Sequence, residues 1–505
     1  MHRLLLALGF YTLLANSGLA QPSEPLSVID WLSDSVTPAQ LPDTTSKEPA
    51  TATSAKPAAV QVTPLDRPTP DAAGVFAPSL LKLPDTMWSF SDEQTMVDLV
   101  SSIPNPQIPA LQDLLVTLLL IEAKEPFGAT AQGRFFLSRV DKLLEFGRLE
   151  EAGALLSSTQ LNSPEIFRRR FDVALLTGTE DAPCNLISQT PNIAPSYSAR
   201  IYCLARVGDW PAAALTLNTR RALGDLSDED DALFSAFLDP EVMEHAGRLP
   251  DPEKVTPLVY RIREAVGESL PTIDLPIAFA HADLRSVHGW RTQLNAAERL
   301  IRYGAIEPTV FRVLFTSRRP SASGGIWDQV EAIRSLQDAV NKGELARINA
   351  SLPAAYIAAT ELGAEALISE LFANELKRYD LTDEAARIAA TMHFINSNGT
   401  PPTAPDIDPF LVSIANGYPQ EILVTEPKQL AVQTAFNGRE TPSYIKDLLD
   451  QGKVGEALVH VFSLAQSGLD GDLAAMSDAL TVLRAVGLDD TARKVSLQYL
   501  MMERF

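Results

Sequence analysis

YSARIYCLARVGDWPAAALTL, residues Tyr197 to Leu217, reads as two helices meeting at a tight turn. Tyr197, Ile201 and Leu204 recur at helical spacing, Gly208 stops the first helix, Asp209 can cap the second, and Trp210, Ala214 and Leu217 resume the period. Glycine takes the left-handed conformation after a helix, a large apolar residue anchors the next one, and alanine lets two helices approach. The same order returns at Gly147, Leu149 and Ala152 and at Gly452, Val454 and Ala457. One local device is reused at distant places, which predicts antiparallel helix hairpins.

From Phe76 onward nearly every longer segment carries helical period, and the alternation of strands is scarce. Helices are predicted over 92–102, 108–124, 132–146, 149–158 and 164–177, then among others over 353–361, opened by Pro353, and on to 454–467, 470–486 and 489–503. Acid-rich first turns at Ser227-Asp228-Glu229 and Thr382-Asp383-Glu384 mark two of the starts. Proline punctuation and weak period interrupt the pattern at 268–289 and at 397–407. Residues 418–442 are irregular, with EILVT and LAVQTAF as candidate extended pieces. The expected fold is all-α, an irregular α-solenoid or superhelix of antiparallel hairpins. It divides into a main array over 76–396, a linker over 397–407 and C-terminal hairpins over 408–505.

The first twenty residues have the form of a secretory leader: Arg3 near the start, an apolar run from Leu4 to Leu14 too short to span a bilayer, and Gly18-Leu19-Ala20 as a cleavage site. Cleavage is expected after Ala20, and the mature chain is expected in the periplasm or beyond, without stable membrane insertion. Residues 21–75 form a Pro-, Thr- and Ala-rich arm that cannot bury enough apolar surface to order itself. Within it, SVIDWLSDSV (27–36) is an apolar island centred on Val28, Ile29, Trp31 and Leu32. Either it folds back into a groove on its own domain, or it docks on a partner. The first is favoured, because a free Trp and Ile in an exported tail invite proteolysis and adhesion.

Export also decides how Cys184 and Cys203 are read. An oxidising compartment lets them pair, and no CxxC spacing or neighbouring histidine points to a catalytic thiol or a metal. Cys184 is placed in a loop after Pro183, Cys203 in the helix leading to Gly208. Closing so short a loop stabilises by roughly 3 kcal/mol in the chain-entropy account. Charge excludes another class. With 64 acidic residues against 42 Lys and Arg, the net charge of -22 repels nucleic acid and anionic lipid. Arg168-Arg169-Arg170 is the one basic run, read as a solvated helix face.

Motifs for nucleotide, metalloprotease or serine-hydrolase chemistry are lacking, and no cofactor is implied. His281 and His288, in FAHADLRSVHGW, are the one histidine cluster, and a structural role is favoured over a shared metal. Glu268-Ser269 invites comparison with lytic transglycosylases, but VGESLPTIDLPIAF lacks the Gly-Leu-Met-Gln-type segment that follows their catalytic acid. RRPSASGGIWDQV is the most site-like loop. Arg318, Arg319, Ser321, Ser323, Gly324 and Gly325 could surround an anion at a helix start, although an ordinary glycine-rich turn is favoured.

The helix-turn-helix units resemble tetratricopeptide-like repeats in shape, without a 34-residue period. CLARVGDWPAAALTL, FAHADLRSVHGW, RRPSASGGIWDQV and the IDWLS island, behind a leader and a Pro-rich arm, together resemble a group of exported helical proteins of alphaproteobacteria. That likeness implies fold and compartment and no particular activity. The expected function is therefore non-catalytic binding of an envelope protein or cell-wall component on a curved helical surface. The alternative is a helical module of a peptidoglycan- or polysaccharide-processing enzyme.

Overall fold

The computed structural model describes residues 29–33, 69–159, 163–239, 241, 248–396, 407–417, 419 and 422–502. The expected leader at 1–20, Val28, residues 34–68 of the arm and residues 397–406 of the expected linker lie outside these. Among the described residues there are 23 α-helices and no strand, with two isolated bridges, Phe76 to Ile121 and Asp92 to Phe127. No described helix is long and apolar enough to cross a membrane.

The three recurring turns form as their spacing predicts. Gly147, Gly208 and Gly452 take φ of 71°, 91° and 76°, and Asp209 accepts the N–H of Ala212 at 3.2 Å. Leu149, Ala152, Ala213 and Ala457 are fully buried. Trp210 departs from the expected anchor role: it is 48% exposed and leans on Phe237. The hairpin instead buries Ala199, Ile201, Tyr202, Cys203 and Leu217, the face that meets the neighbouring helices.

Three local readings are corrected. Cys184 lies within the helix Asp181–Gln189, because Pro183 occupies its first turn, where a missing N–H costs nothing. It forms the disulfide with Cys203. LAVQTAF belongs to the helix Pro427–Phe436, opened by Pro427 and held by burial of Ala431, Val432 and Ala435. The helix expected from residue 353 begins earlier, Leu345–Leu362, and runs through Pro353 because Ile348, Leu352 and Ala355 are buried on both sides of that break.

Helix Arg134–Glu145 is buried at every position from Phe135 to Leu144, charges included. Arg139 donates to four carbonyls, those of Leu119, Ile121, Asp71 and Ala73, at 2.6–3.3 Å. Burial lowers its guanidinium pKa to about 10. Lys142 donates to the carbonyls of Ser101 and Ile103 and pairs with Glu145. These cations satisfy carbonyls at the ends of Glu93–Ser102 and Pro109–Leu120 that have no partner within their helices.

Among the described residues, apolar side chains gather in three clusters. One lies over residues 167–262 and includes the disulfide, and a second lies over 277–392. The third unites the first helices with the last ones, from Pro409–Asn416 to Asp489–Met501, so the C-terminal hairpins share a core with the start of the array. Two contacts fix that closure. The N–H of Gly455 donates to the carbonyl of Met87 at 3.0 Å, and a Cβ at Gly455 would overlap the ring of Trp88. Buried Gln498 accepts from the N–H of Ala110 at 2.8 Å and donates to the carbonyl of Ile395 at 3.0 Å. It therefore ties three helices with one amide.

Replacing Gln498 by Leu strands both backbone groups, and the expected loss is about 2–4 kcal/mol in urea unfolding. Gly455→Ala is expected to cost about 1–3 kcal/mol by overpacking against Trp88. Unchanged midpoints in both variants would show that the two chain ends do not share a core.

Candidate segment-docking groove

The helix Pro164–Thr177 places Arg168, Arg169 and Asp172 in the interior, which corrects the reading of the arginine run as a solvated face. Arg169 is fully buried and forms a two-pronged pair with Asp141, Nε to Oδ1 at 2.5 Å and Nη2 to Oδ2 at 2.7 Å, with Glu165 beside it. Arg168 pairs with Glu165 at 2.9 Å. Carboxylates from two helices thus neutralise these guanidinium groups, and burial of the helix on both sides becomes possible.

Arg168 and Asp172, one turn apart, hold the apolar island. The backbone N–H of Ser33 donates to Asp172 Oδ2 at 3.0 Å, and its hydroxyl donates to Oδ1 at 2.5 Å. The carbonyl of Ser33 accepts from Arg168 Nη1 at 3.1 Å. Trp31 stands edge-on to Phe279 with ring centroids 5.5 Å apart, and Phe279 meets Tyr260 in the same manner. Trp31 and Leu32 are buried at 9% and 2% exposure, Ile29 is half-buried against the same core, and Asp30 is exposed. Residues 29–33 therefore fold back on their own domain in this structure.

Two cavities flank the docked segment. One of about 580 Å³ opens beside Ile29, Asp30 and Trp31 and is walled by Ser138, Asp141, Lys142, Pro276 and Tyr303. The other, about 310 Å³, lies beside Ser33 and is walled by Ser196, Ser227, Glu229 and Lys254.

FAHADLRSVHGW braces this groove. His281 lies 2.6 Å from the carbonyl of Gly147, to which its Nε2–H donates, and burial lowers its pKa. His288 meets Glu264 at 3.1 Å, together with Arg285. The two histidines serve separate partners, and the helix Ala280–Leu284 that carries the first positions Phe279 just ahead of it.

The other expected site residues do not converge. Arg318, Arg319, Ser321, Ser323, Gly324 and Gly325 are exposed. Arg318 lies 6.0 Å over the ring of Trp290, while the N–H of Gly324 is taken by Asp328 of the following helix, Ile326–Lys342. Glu268 is half-buried, 3.9 Å from Arg263. Among the described residues no three His, Cys, Asp or Glu side chains gather to hold a metal. Of the groove's own residues, Arg168 was read only as part of a solvated run and Asp172 was missed. Their i, i+4 spacing on an otherwise apolar face was the available signal.

The chain matches no protein-family model, no curated protein and no solved structure. The groove is therefore read from its own chemistry.

Asp172 has its carboxyl pushed up to about 6 from 3.8, first by burial, with the hydrogen bonds from Ser33 and the charges of Arg168 and Arg169 pulling it back. The folded value exceeds the unfolded one, so this group's contribution to stability is complete below pH 3.8 and is lost as pH rises through about 6. Asp71, also raised to about 6 by burial, adds a slope of the same sign. Comparison with Asp172→Asn isolates the Asp172 contribution. Between pH 3 and pH 7 the wild type is expected to lose up to about 3 kcal/mol relative to that variant in urea melts. Parallel pH profiles would contradict it.

Proposed function

We propose that this chain is an exported, periplasmic scaffold without catalysis of its own, and that it binds an envelope protein. The observation that carries the reading is the handling of Ser33. Two buried side chains of one helix are committed to the main-chain N–H and C=O of a non-helical segment, which is how a protein surface recognises polypeptide. The cavities on either side give such a segment room to continue. Export rests on the leader read in residues 1–20 and is supported by the disulfide, which oxidising compartments sustain. The likeness to exported helical proteins of alphaproteobacteria and the tetratricopeptide-like turns point the same way.

A second reading, a helical module in peptidoglycan or polysaccharide processing, has one observation in its favour. A polar cavity of about 490 Å³ is lined by Asp113, Glu307 and Glu370 together with Arg148, Arg302 and Lys494. Burial, then neighbouring acids, raises the carboxyl pKa of both Glu307 and Glu370.

In-cell cross-linking of the full chain is expected to capture a discrete envelope polypeptide, and purified protein incubated with cell-wall sacculi is expected to release no muropeptides. Muropeptide release that disappears in Glu370→Gln would replace the first reading with the second.

A further inference from the structure

We propose that the groove between Pro164–Thr177 and Phe279 is a docking site for an extended Trp-Leu-Ser-type segment of a partner polypeptide, and that residues 29–33 are its tethered occupant in cis. The inference rests on the reading of the chain as a polypeptide-binding protein and names the ligand chemistry and its regulation.

The docked residues contribute no helix and no strand. Their hold on the domain is of the kind a ligand makes. Trp31 is an aromatic anchor against Phe279, Leu32 is a buried aliphatic residue, and Ser33 is read at its N–H, its C=O and its hydroxyl. The receptor side is prepared independently. Arg169 and Asp141 fix the helix that carries Arg168 and Asp172, and the His281 bond to Gly147 steadies the short helix that follows Phe279. Neither contact uses the docked segment.

Chain length supplies the second argument. Residues 34–68 join the docked segment to Thr69, 35 residues with a reach of roughly 120 Å when extended. Its two ends meet helices that are joined to each other: Ser33 is held by Pro164–Thr177, Asp71 by Arg134–Glu145, and the Arg169–Asp141 pair links the two. Asp71 accepts from the N–H of Phe136 at 2.6 Å, and Ile29 and Trp31 share a cavity wall with Ser138, Asp141 and Lys142. These helices, of 12 and 14 residues, are only about 18 and 21 Å long. The connection is several times longer than the path it must cover, so the segment can leave the groove without disturbing either end. While tethered it competes at an effective concentration of about millimolar order. A partner segment enters only when it outbids that concentration or when the arm is drawn away by another contact. The groove recognises an uncharged Trp-Leu-Ser core, with the exposed Asp30 position free to vary.

The test uses the full chain with a site-specific protease sequence placed within residues 45–60, and a fluorescent peptide spanning residues 27–36 as probe. Uncut protein is expected to take up the peptide negligibly at micromolar concentration. Cutting removes the tether while keeping every residue, and the apparent affinity for the peptide is expected to rise about 100-fold or more with the helical circular-dichroism signal retained. Peptides carrying Trp31→Ala or Ser33→Ala are expected to compete at least about 10-fold less well. Cut protein that loses helical signal, or that never exchanges the peptide, would make residues 29–33 an integral part of the fold and overturn the proposal. Equal binding before and after cutting would place the peptide elsewhere and overturn it too. An envelope partner captured equally well by a chain in which exchange fails would leave the binding function standing and remove only this groove.

Discussion

Burial of the helix Arg134–Glu145 on all sides is the constraint from which the rest of the structure follows. Three charged side chains accompany Phe135, Phe136, Val140 and Leu143 into the interior, and each must find partners there or the burial would be prohibitively unfavourable. Arg139 finds four carbonyls, Lys142 two carbonyls and Glu145, and Asp141 the guanidinium of Arg169. Through these bonds one helix organises the segment at 71–73, the ends of two preceding helices and the helix Pro164–Thr177.

The groove depends on the same arrangement. Arg169 is committed to Asp141 and Glu165, which leaves Arg168 and Asp172, on the same helix, to face the docked segment. A carboxylate at Asp172 with nothing to donate to it would be costly at that depth. Ser33 supplies two donors, so the docked segment and the buried acid stabilise each other. The outer arrangement follows a different logic. Gly455 lets Trp88 approach closely, and Gln498 closes the join among helices that are far apart in the chain. Apolar burial supplies the energy of that closure, and the single amide and the absent Cβ supply its register.

Helical period, the Gly–large–Ala turns and the cap at Asp209 were legible in the residues, because they are governed by interactions within a few positions of one another. The misread places share a cause. Pro183 and Pro353 read as breaks, yet one lies in a first turn and the other is overridden by burial on both sides. Trp210 read as an anchor, and the packing of its hairpin turned another face inward. The arginine run read as solvated because charge in a sequence carries no mark of the carboxylates that will surround it in space.

The sequence by itself therefore determined an all-helical chain, the places where its helices turn, the cysteines available to pair and the presence of an apolar island ahead of the first helix. Tertiary structure alone decided that the last hairpins share a core with the first helices, and that the island meets Asp172 and Phe279. The physical reason is separation along the chain. Ser33 and Asp172 are 139 residues apart and Ala110 and Gln498 are 388 apart, so no local periodicity encodes either contact. Both arise only when packing has brought the buried polar groups within reach of one another.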